Sequence, residues 1–330
     1  MDPGQDRHRL WPVPGTHERV YKLHEAMMTT FWPPSKLDFE EDVEQWHGGE
    51  VPEGMARLVR GFLAFVARVD ALVEEQIMDL SAHVADPFLS QAYLMQAAQE
   101  SMHSTAYQRC LMAYVQDRAE REALMAVSPA DYPSIGRKRE WYLRHMDCGA
   151  QGVAHVLVAA MAMEGVCFST LWAVVHEISR LRGRDGSPLL PGFVAMNQYV
   201  RRDESTHGLL HCAAATLLER PTPGAEAEAM VRELVDIEVQ FYEEIYGAPE
   251  GAYGTLSPAV MRGHVQYTAN FWMQQMGYAL PYAGVTRSPL EGWDDFGLPG
   301  IEQFFETEVT QYNTAGSLGQ AGQEEFADDY

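Results

Sequence analysis

Positive charge is scarce in this sequence. Lysine occurs only at Lys22, Lys36 and Lys138, and 24 Lys and Arg residues stand against 47 Asp and Glu, which gives a net charge of −23. Nucleic acids and anionic membrane surfaces are bound mainly through Lys and Arg, so neither is expected as a direct partner. The sequence also has no glycine-rich phosphate-binding loop, which argues against nucleotide binding of that type.

Cysteine is sparse as well. The four cysteines, Cys110, Cys148, Cys167 and Cys212, are widely spaced, and none belongs to a Cys-x-x-Cys pair. This usage indicates reduced thiols rather than a disulfide framework. The N-terminal sequence MDPGQDRHRLWPVPG has no apolar core of the kind found in a signal peptide. We therefore predict a cytoplasmic protein.

One stretch, residues 152–175, is apolar enough to suggest a membrane span. It contains His155 and, near its middle, Glu164. A carboxylate at that depth is costly in lipid, so the stretch is better explained as a buried helix of a helical bundle. Glu164 then needs a chemical reason to lie inside the protein.

Alternating strand patterns are scarce, and helical periodicity dominates the sequence. Since no linker divides the chain, we predict one all-α domain over residues 1–312. Residues 313–330 are rich in Gly, Ser, Ala and Gln and then in acidic residues. That composition buries too little surface to fold alone, so they are predicted to form a mobile tail. The predicted helices cover residues 17–30, 55–80, 87–114, 133–146, 151–181, 192–219, 225–246 and 257–276.

Glu-x-x-His occurs three times, and two of the copies lie within long apolar helices. Glu100 and His103 belong to one predicted helix, and Glu204 and His207 belong to another. Residues three apart share one face of an α-helix, so the two members of each pair can act together. The third copy, at residues 44–47, lies in a polar segment beside two glycines and is interpreted as accidental.

An acidic residue precedes each of these two motifs on the previous predicted helix. Asp70 comes 30 residues before the first motif and Glu164 comes 40 residues before the second. The loop at residues 182–191 accounts for the difference. Glu74 and Glu75 are close to Asp70, so the choice of the first acid is open at this point. The repeat predicts four helices that direct four carboxylates and two imidazoles to one place.

Six such groups in a protein core are too costly unless a cation neutralises them. Two divalent metal ions would do so. Carboxylate oxygens with one imidazole per metal suit iron or manganese, and the lack of thiolate ligands argues against a structural zinc site. This ligand pattern is typical of ferritin-like di-iron and di-manganese bundles. We therefore predict a ferritin-like helical bundle with a dimetal-carboxylate site in its core.

One tyrosine is placed to react at this site. Tyr107 lies one helical turn after His103 and is expected near the metal pair. Phe168, Trp172 and Val200 are predicted to form an apolar sleeve that keeps water and reductants from the phenol, as a long-lived radical requires. A core tyrosine with a hydrogen-bonded hydroxyl is the alternative interpretation.

With these residues in place, the sequence resembles the small (β) subunit of class I ribonucleotide reductase over most of its length. The matching segments are FWPPSKLDF, DALV, ESMHSTAY, MEGVCFS, RRDESTH and FFETEVTQY. The segments ESMHSTAY and RRDESTH are the specific ones, because ferritins and desaturases share the metal pattern but not this combination with the tyrosine.

The resemblance implies a role for each matching residue. Tyr107 would carry the stable radical. Trp32 would pass electrons toward the metals and lie on the radical route, and Asp203 would hydrogen-bond His103 and link it to Trp32. Tyr312 would relay the radical across the subunit interface. The implied metal ligands are Asp70, Glu100 and His103 for one ion and Glu164, Glu204 and His207 for the other.

The cofactor and the partners follow from the same resemblance. The cofactor would be two iron ions, with a dimanganese or mixed pair as the alternative and a flavodoxin-like activator in the manganese case. The chain would be a homodimer whose tail, residues 313–330, docks on the large (α) subunit. The implied activity is that of a ribonucleoside-diphosphate reductase, in which oxygen activation at the metals oxidises Tyr107 and the radical then serves deoxyribonucleotide formation in the large subunit.

Two other functions fit the metal pattern. A stand-alone ferritin-like dimetal oxidase or N-oxygenase would act on its own substrate, and an iron-storage bundle would form large shells. Neither function needs Tyr107, Tyr312 and a docking tail together. Their combination favours the reductase subunit.

Overall fold

The structure, a computed structural model, describes residues 13–126, 132–247 and 256–293, without the side chains of residues 67–72 and 74. In these ranges the chain is helical and has no β-strand beyond an isolated bridge between Arg182 and Pro188. The predicted all-α class is confirmed. Tyr312 and the predicted tail at residues 313–330 lie outside the described residues.

A bundle of long helices forms the centre of the molecule. The helices of the described ranges are α1 (Glu18–Thr29), α2 (Glu40–His47), α3 (Glu53–His83), α4 (Pro87–Tyr114), α5 (Arg118–Met125), α6 (Pro133–His145), α7 (Cys148–Gln151), α8 (Val153–Val166), α9 (Ser169–Arg180), α10 (Pro191–Ala215), α11 (Gly224–Tyr246) and α12 (Pro258–Gln275). Helix α4 packs along α3, α8 packs along α10, and α4 and α10 contact each other between the two pairs. Helices α1 and α2 lie against α4 and α10, and α11 and α12 lie against α8.

The long predicted helices are confirmed, except that one of them is interrupted. Residues 151–181, predicted as one helix, are divided into α7, α8 and α9. Gly152 separates α7 from α8 with a φ of +83°, a backbone conformation that favours glycine. Between α8 and α9 the helix widens by one residue, because Cys167 N donates to Ala162 O. Helices α2 and α5 were not predicted, since eight residues are too few to establish a periodicity.

The segment Val153–Arg180 is long and apolar enough to cross a membrane, and the structure buries it in the bundle. The most apolar part of this segment is entirely buried inside the protein, as expected of core helices.

Two glycines allow α12 to approach α8 and α10 closely. A Cβ atom on Gly165 of α8 or on Gly208 of α10 would clash with the indole of Trp272 on α12.

Helix α2 fixes the start of α10, the helix that carries the second Glu-x-x-His motif. The buried carboxylate of Asp42 accepts hydrogen bonds from Gly192 N (2.8 Å) and Phe193 N (2.7 Å). These bonds satisfy N–H groups that have no partner within the helix. Gln45 Oε1 also accepts a hydrogen bond from Leu190 N (2.7 Å). Together they set the position of α10 in the bundle.

His264 of α12 is a buried histidine that the fold keeps neutral. Its ring is fully buried, and its Nδ1 contacts Ser288 Oγ at 2.9 Å. Burial, and then the nearby charge of Arg201, lower the pKa of His264 to about 3. Because the unfolded chain binds the same proton with a pKa of about 6.5, acid favours the unfolded chain.

Substitution of His264 is expected to reduce the acid sensitivity of folding. The histidine costs the folded state about 1.4 kcal/mol per pH unit as the pH falls from about 6.5 toward 3. In His264→Gln the stability lost between about pH 6.5 and about pH 4.5 should shrink by about 2–3 kcal/mol. Urea unfolding at the two pH values measures this. His47→Gln, at an exposed residue of α2, is the control, and equal acid losses in both variants would contradict the prediction.

Candidate metal centre

Five of the predicted site residues converge in the middle of the bundle, and at most 4% of the surface of each is exposed. The five are Glu100 and His103 on α4, Glu164 on α8, and Glu204 and His207 on α10. The third Glu-x-x-His copy behaves differently. Glu44 and His47 are exposed on α2, so this copy takes no part in the cluster.

We call these five residues the carboxylate cluster. The carboxylates of Glu100 and Glu204 lie between its two imidazoles. Ligand atoms of Glu100, Glu164, Glu204 and His207 lie within 4.8 Å of one another. His103 Nδ1 is 3.1 Å from Glu204 Oε1 and 3.4 Å from Glu100 Oε2. His207 Nδ1 is 2.9 Å from Glu100 Oε1 and 3.2 Å from Glu204 Oε2. Carboxylates and imidazoles grouped in this way would hold a pair of divalent metal ions.

Each histidine is held through its outer ring nitrogen. His103 Nε2 donates to Asp203 Oδ2 (3.3 Å), and His207 Nε2 donates to Gln99 Oε1 (3.0 Å). These bonds place the ring hydrogen on Nε2 and direct Nδ1 toward the carboxylates. Metal-binding histidines are commonly oriented in this way. Both Nδ1 atoms are therefore presented as ligand atoms.

The donor atoms of the cluster fit a pair of metal ions. Glu100 Oε1, Glu164 Oε2 and His103 Nδ1 are buried, and none of them has a hydrogen bond of suitable geometry with the described residues, although Glu100 Oε1 lies close to His207 Nδ1. Buried polar atoms are usually paired, and an unpaired one costs about 1–3 kcal/mol. Coordination to a cation would satisfy all three atoms. Since the donors are oxygen and imidazole nitrogen without sulfur, they suit iron or manganese.

The electrostatics of the cluster also call for positive charge. Burial and the neighbouring carboxylates of Glu100 and Glu164 raise the pKa of Glu204 well above its usual range. Burial opposes the charge of His207, but the carboxylates around it outweigh this and raise the pKa of the imidazole. These raised pKa values favour protonation of Glu204 and His207, which limits the repulsion among the buried carboxylates. Divalent cations would displace these protons and supply the positive charge instead.

For Asp70, the first acid of the repeat, the structure gives the position of its helix but not of its side chain. Asp70 lies in α3, which packs along α4 and also contacts α8. The side chains of Asp70 and Glu74 lie outside the described part of the chain. Glu75, the third acid of this stretch, is exposed and does not belong to the cluster. Asp70 as a ligand stays a prediction.

A series of contacts leads from the cluster toward the protein surface. Trp32 Nε1 donates to Asp203 Oδ2 (2.7 Å), the same oxygen that His103 Nε2 contacts. Burial works against the ionised form of Asp203, but His103 and Arg202 lower the pKa of its carboxyl group. Trp32 also lies against Tyr199, which is 43% exposed, with ring centroids 5.5 Å apart. Trp32 therefore lies between the cluster and the surface.

Tyr107 is buried one turn after His103 on α4, with 2% of its surface exposed. Its hydroxyl donates to Asn197 Oδ1 (3.0 Å). Asn197 Nδ2 donates in turn to Phe193 O (2.8 Å), which fixes the orientation of the amide. An amide oxygen accepts hydrogen bonds but does not ionise in the neutral range. Asn197 therefore positions the phenol without acting as a base.

The three residues predicted to surround this phenol belong to the buried core. Phe168, Trp172 and Val200 are all buried, and the rings of Phe168 and Trp172 lie 6.2 Å apart. Phe168 immediately precedes α9, Trp172 lies on α9 and Val200 lies on α10, and all three add to the apolar interior. Their role as a sleeve around Tyr107 stays a prediction.

Sequence reasoning missed four polar residues that support the site: Gln96, Gln99, Asn197 and His211. Gln96 Nε2 donates to Glu164 Oε1 (2.6 Å), and His211 Nε2 lies 3.9 Å from the same oxygen. A signal for both was present in the sequence. Gln96 comes one turn before Glu100 and His211 one turn after His207, on helix faces already assigned to the site.

The known sequences that resemble this chain point to one family. Residues 12–289 match the family model of the ribonucleotide reductase small chain. A ribonucleoside-diphosphate reductase small chain of Arabidopsis thaliana is 26% identical over 321 residues, which cover 96% of this chain and 91% of that protein.

Solved structures share the fold. The ribonucleotide reductase Rnr4 homodimer of Saccharomyces cerevisiae matches with a TM-score of 0.76 at 18% identity, covering 92% of this chain and 89% of that one. The dimanganese(II)-NrdF of Streptococcus sanguinis matches with a TM-score of 0.62 at 18% identity, covering 79% and 89%. These likenesses confirm the predicted ferritin-like bundle.

Proposed function

The chain belongs to the ribonucleotide reductase small-chain family, and from this premise we propose that it is the radical-generating small (β) subunit of a class I ribonucleoside-diphosphate reductase. The observation that carries the proposal is the buried carboxylate cluster with Tyr107 one helical turn from its ligand His103. The relatives reported above are reductase small chains and give no support to a stand-alone oxidase or N-oxygenase.

The proposed cofactor is a pair of metal ions in the carboxylate cluster. The proposed ligands are Asp70, Glu100 and His103 for one ion and Glu164, Glu204 and His207 for the other. Two iron ions suit these donors, and a dimanganese or mixed pair suits them equally; the manganese forms would call for a flavodoxin-like activator. When bound, the pair supplies the redox chemistry that consumes oxygen and oxidises the phenol.

The surrounding side chains deliver an electron and hold the phenol. Asp203 Oδ2 contacts the ring N–H groups of both Trp32 and His103, so an electron that enters at Trp32 reaches a metal ligand across two hydrogen bonds. When Tyr107 becomes a radical it would lose one electron and its hydroxyl proton, and the reduction of oxygen to water would consume both. Asn197 Oδ1 accepts its hydrogen bond and keeps the phenol oxygen in place before oxidation. The buried position of the ring keeps water and reductants away.

The remaining steps depend on a partner. We place the nucleotide site in the large (α) subunit, in agreement with the lack of a phosphate-binding loop and the scarcity of lysine in this chain. Tyr312 would relay the radical across the interface, and residues 313–330 would dock on the large subunit. The chain itself would act as a homodimer in the cytoplasm, in keeping with the free cysteines of its interior.

Reconstitution with the large subunit tests the proposal. The chain, loaded with Fe(II) in the presence of oxygen and mixed with the large subunit of the same source, should reduce a ribonucleoside diphosphate, whereas neither protein alone should do so. Tyr312→Phe should form the tyrosyl radical but give no deoxyribonucleotide, because phenylalanine has no hydroxyl hydrogen to relay. Chromatography of the product and electron paramagnetic resonance measure the two properties. Turnover of Tyr312→Phe at the level of the control Tyr246→Phe would overturn the relay role.

The tail can be tested separately. A synthetic peptide of residues 313–330 should inhibit the mixed enzyme by competing for the large subunit, and a scrambled peptide of the same composition should not. A chain shortened by the same residues should keep its radical and lose its affinity for the large subunit. Full activity of the shortened chain, or no inhibition at a peptide concentration far above that of the enzyme, would contradict the docking role.

A further inference from the structure

A second group of metal-binding side chains lies outside the carboxylate cluster. Asp79 and His83 lie one turn apart near the end of α3, and Cys148 is the first residue of α7. One ligand atom from each lies within 4.8 Å of the others. We propose that Asp79, His83 and Cys148 form a second metal site, for a thiophilic divalent cation of the zinc class.

The donor set distinguishes this site from the carboxylate cluster. The carboxylate cluster offers oxygen and imidazole nitrogen alone, whereas Cys148 adds a sulfur donor to Asp79 and His83. Sulfur, nitrogen and oxygen donors together suit Zn²⁺, while oxygen-rich donors suit iron and manganese. A dication bound by one thiolate, one carboxylate and one neutral imidazole is electrically neutral, so its charge is balanced by the protein alone.

The spacing of the donors fits tetrahedral coordination. His83 Nδ1 and Asp79 Oδ1 are 3.3 Å apart. In a tetrahedral site with bonds of about 2.0–2.1 Å, two nitrogen or oxygen ligands stand about 3.3–3.4 Å apart. His83 Nδ1 also contacts the Asp79 carbonyl oxygen (2.9 Å), a contact that the ring exchanges for the ion. Its side chain is 42% exposed, so the ring is free to make this small rotation.

The site is open to solvent on one side and closed on the other. Asp79 and His83 have side chains that are 45% and 42% exposed, which gives a cation an entry path and leaves room for a water ligand. Cys148 is buried, with 4% of its surface exposed. The neighbouring Asp147 is engaged elsewhere, since its Oδ1 accepts a hydrogen bond from Ala150 N (3.0 Å). Three donors and one open position therefore face the ion.

Without a cation, Cys148 is a protonated thiol beside the carboxylate of Asp79. Burial, and then the carboxylates of Asp79 and Asp147, raise the pKa of its thiol to about 12. The thiol therefore keeps its hydrogen and bonds to Asp79 when no cation is bound. A bound ion would take the place of that hydrogen between the sulfur and the carboxylate. It would also tie the last turns of α3 to the start of α7.

Cobalt(II) provides a direct probe, because thiolate-bound Co²⁺ gives a near-ultraviolet charge-transfer absorption that oxygen and nitrogen ligands do not give. The full chain, stripped of metal with a chelator and titrated with Co²⁺, should develop this absorption with the intensity of one thiolate-bound ion per chain, while Co²⁺ in the carboxylate cluster adds nothing to it. Zn²⁺ should then abolish it by displacing the cobalt. Absence of the absorption in the wild type would overturn the proposal.

Variants locate the ligand atoms. Cys148→Ser should lose the absorption entirely, and His83→Gln, at an exposed residue, should weaken Co²⁺ binding at least 10-fold. Cys110→Ser is the matched control at a buried cysteine of α4 and should keep the wild-type titration. Persistence of the absorption in Cys148→Ser, or unchanged affinity in His83→Gln, would overturn the assignment.

One further variant separates the second metal site from the carboxylate cluster. Glu100→Gln should disable the carboxylate cluster and keep the thiolate absorption of the second metal site. Loss of that absorption in Glu100→Gln would overturn the proposal, because the two sites would then not be separate. Since this readout requires neither a radical nor a large subunit, it is independent of the outcome of the reconstitution experiment.

Discussion

Replacing Tyr107 with phenylalanine is expected to abolish the tyrosyl radical and lower ribonucleotide reduction at least about a thousand-fold, equivalent to about 4 kcal/mol of activation free energy. Phenylalanine has no hydroxyl hydrogen to lose and is far harder to oxidise. The fold should persist, because the change removes one hydrogen bond to Asn197, worth about 1 kcal/mol. Electron paramagnetic resonance after Fe(II) and oxygen loading measures the radical.

The same helix offers a matched control. Tyr93 of α4 is also fully buried, and its hydroxyl forms no hydrogen bond with the described residues. Tyr93→Phe therefore makes the same chemical change on the same helix away from the proposed radical site. It should keep both the radical and the activity. A radical signal that survives in Tyr107→Phe, or that disappears in Tyr93→Phe, would refute the assignment of the radical to Tyr107.

Adding Fe(II) or Mn(II) to the metal-free protein without oxygen is expected to raise its unfolding temperature by about 10 °C. Each ion at 100 times its Kd contributes about 2.7 kcal/mol, so two ions contribute about 5 kcal/mol. In a large domain each kcal/mol shifts Tm by about 2 °C. Differential scanning calorimetry with and without metal measures the shift. The rise reflects relief of the repulsion among the buried carboxylates.

Glu204→Gln is expected to have opposite effects on the stability of the metal-free protein and on the stabilisation by bound metal. Its amide carries no charge, so it relieves the repulsion from Glu100 and Glu164 in the metal-free protein, which should be at least as stable as the wild type at neutral pH. The variant also lacks a carboxylate that is proposed to hold the metal ions, so its rise in Tm with metal should fall below half that of the wild type. A full rise in this variant would rule out Glu204 as a ligand.

The stability difference between metal-free Glu204→Gln and the metal-free wild type should also depend on pH. The pKa of Glu204 is raised in the folded state, so its stabilising contribution is full below the unfolded pKa of about 4.3 and is lost as the pH rises. The stability advantage of Glu204→Gln should therefore grow as the pH increases from about 4.5 to about 8. Urea unfolding of both metal-free proteins measures the difference.

A buried carboxylate outside the carboxylate cluster provides the control for these measurements. Glu238 of α11 is fully buried and is bonded by Lys138 and Thr170. Glu238→Gln should lower the stability of the protein, because it leaves the Lys138 ammonium without its partner charge. It should keep the full rise in Tm on metal addition, since it removes no ligand.

Local spacing made half of the metal centre predictable. Glu100 and His103, like Glu204 and His207, lie one turn apart on a single helix, so helical geometry alone brings each pair together. Asp203, which is adjacent to Glu204 in the sequence, was predicted only because of the resemblance to the reductase small subunit. Glu164 was identified because a carboxylate in the middle of an apolar helix is costly without a partner.

Contacts between distant segments could not be derived in this way. Asn197 accepts the hydrogen bond of Tyr107 from 90 residues away, and Gln96 donates to Glu164 from 68 residues away. Asn197 belongs to no motif that marks it as functional. Gln96 is indicated only by its place one turn before Glu100, and that spacing does not reveal its contact with Glu164. The widened turn at Cys167, which ends α8, is likewise invisible in a segment that is apolar throughout.

The amino-acid sequence by itself determined the helical class and indicated the carboxylates, histidines and tyrosine proposed to carry the oxidative chemistry, because both follow from periodicities and spacings within single helices. Only the tertiary structure decided which groups orient the histidines and the phenol, and it alone brought Cys148 beside Asp79 and His83. These contacts join residues far apart in the sequence, and their geometry depends on how whole helices pack against one another.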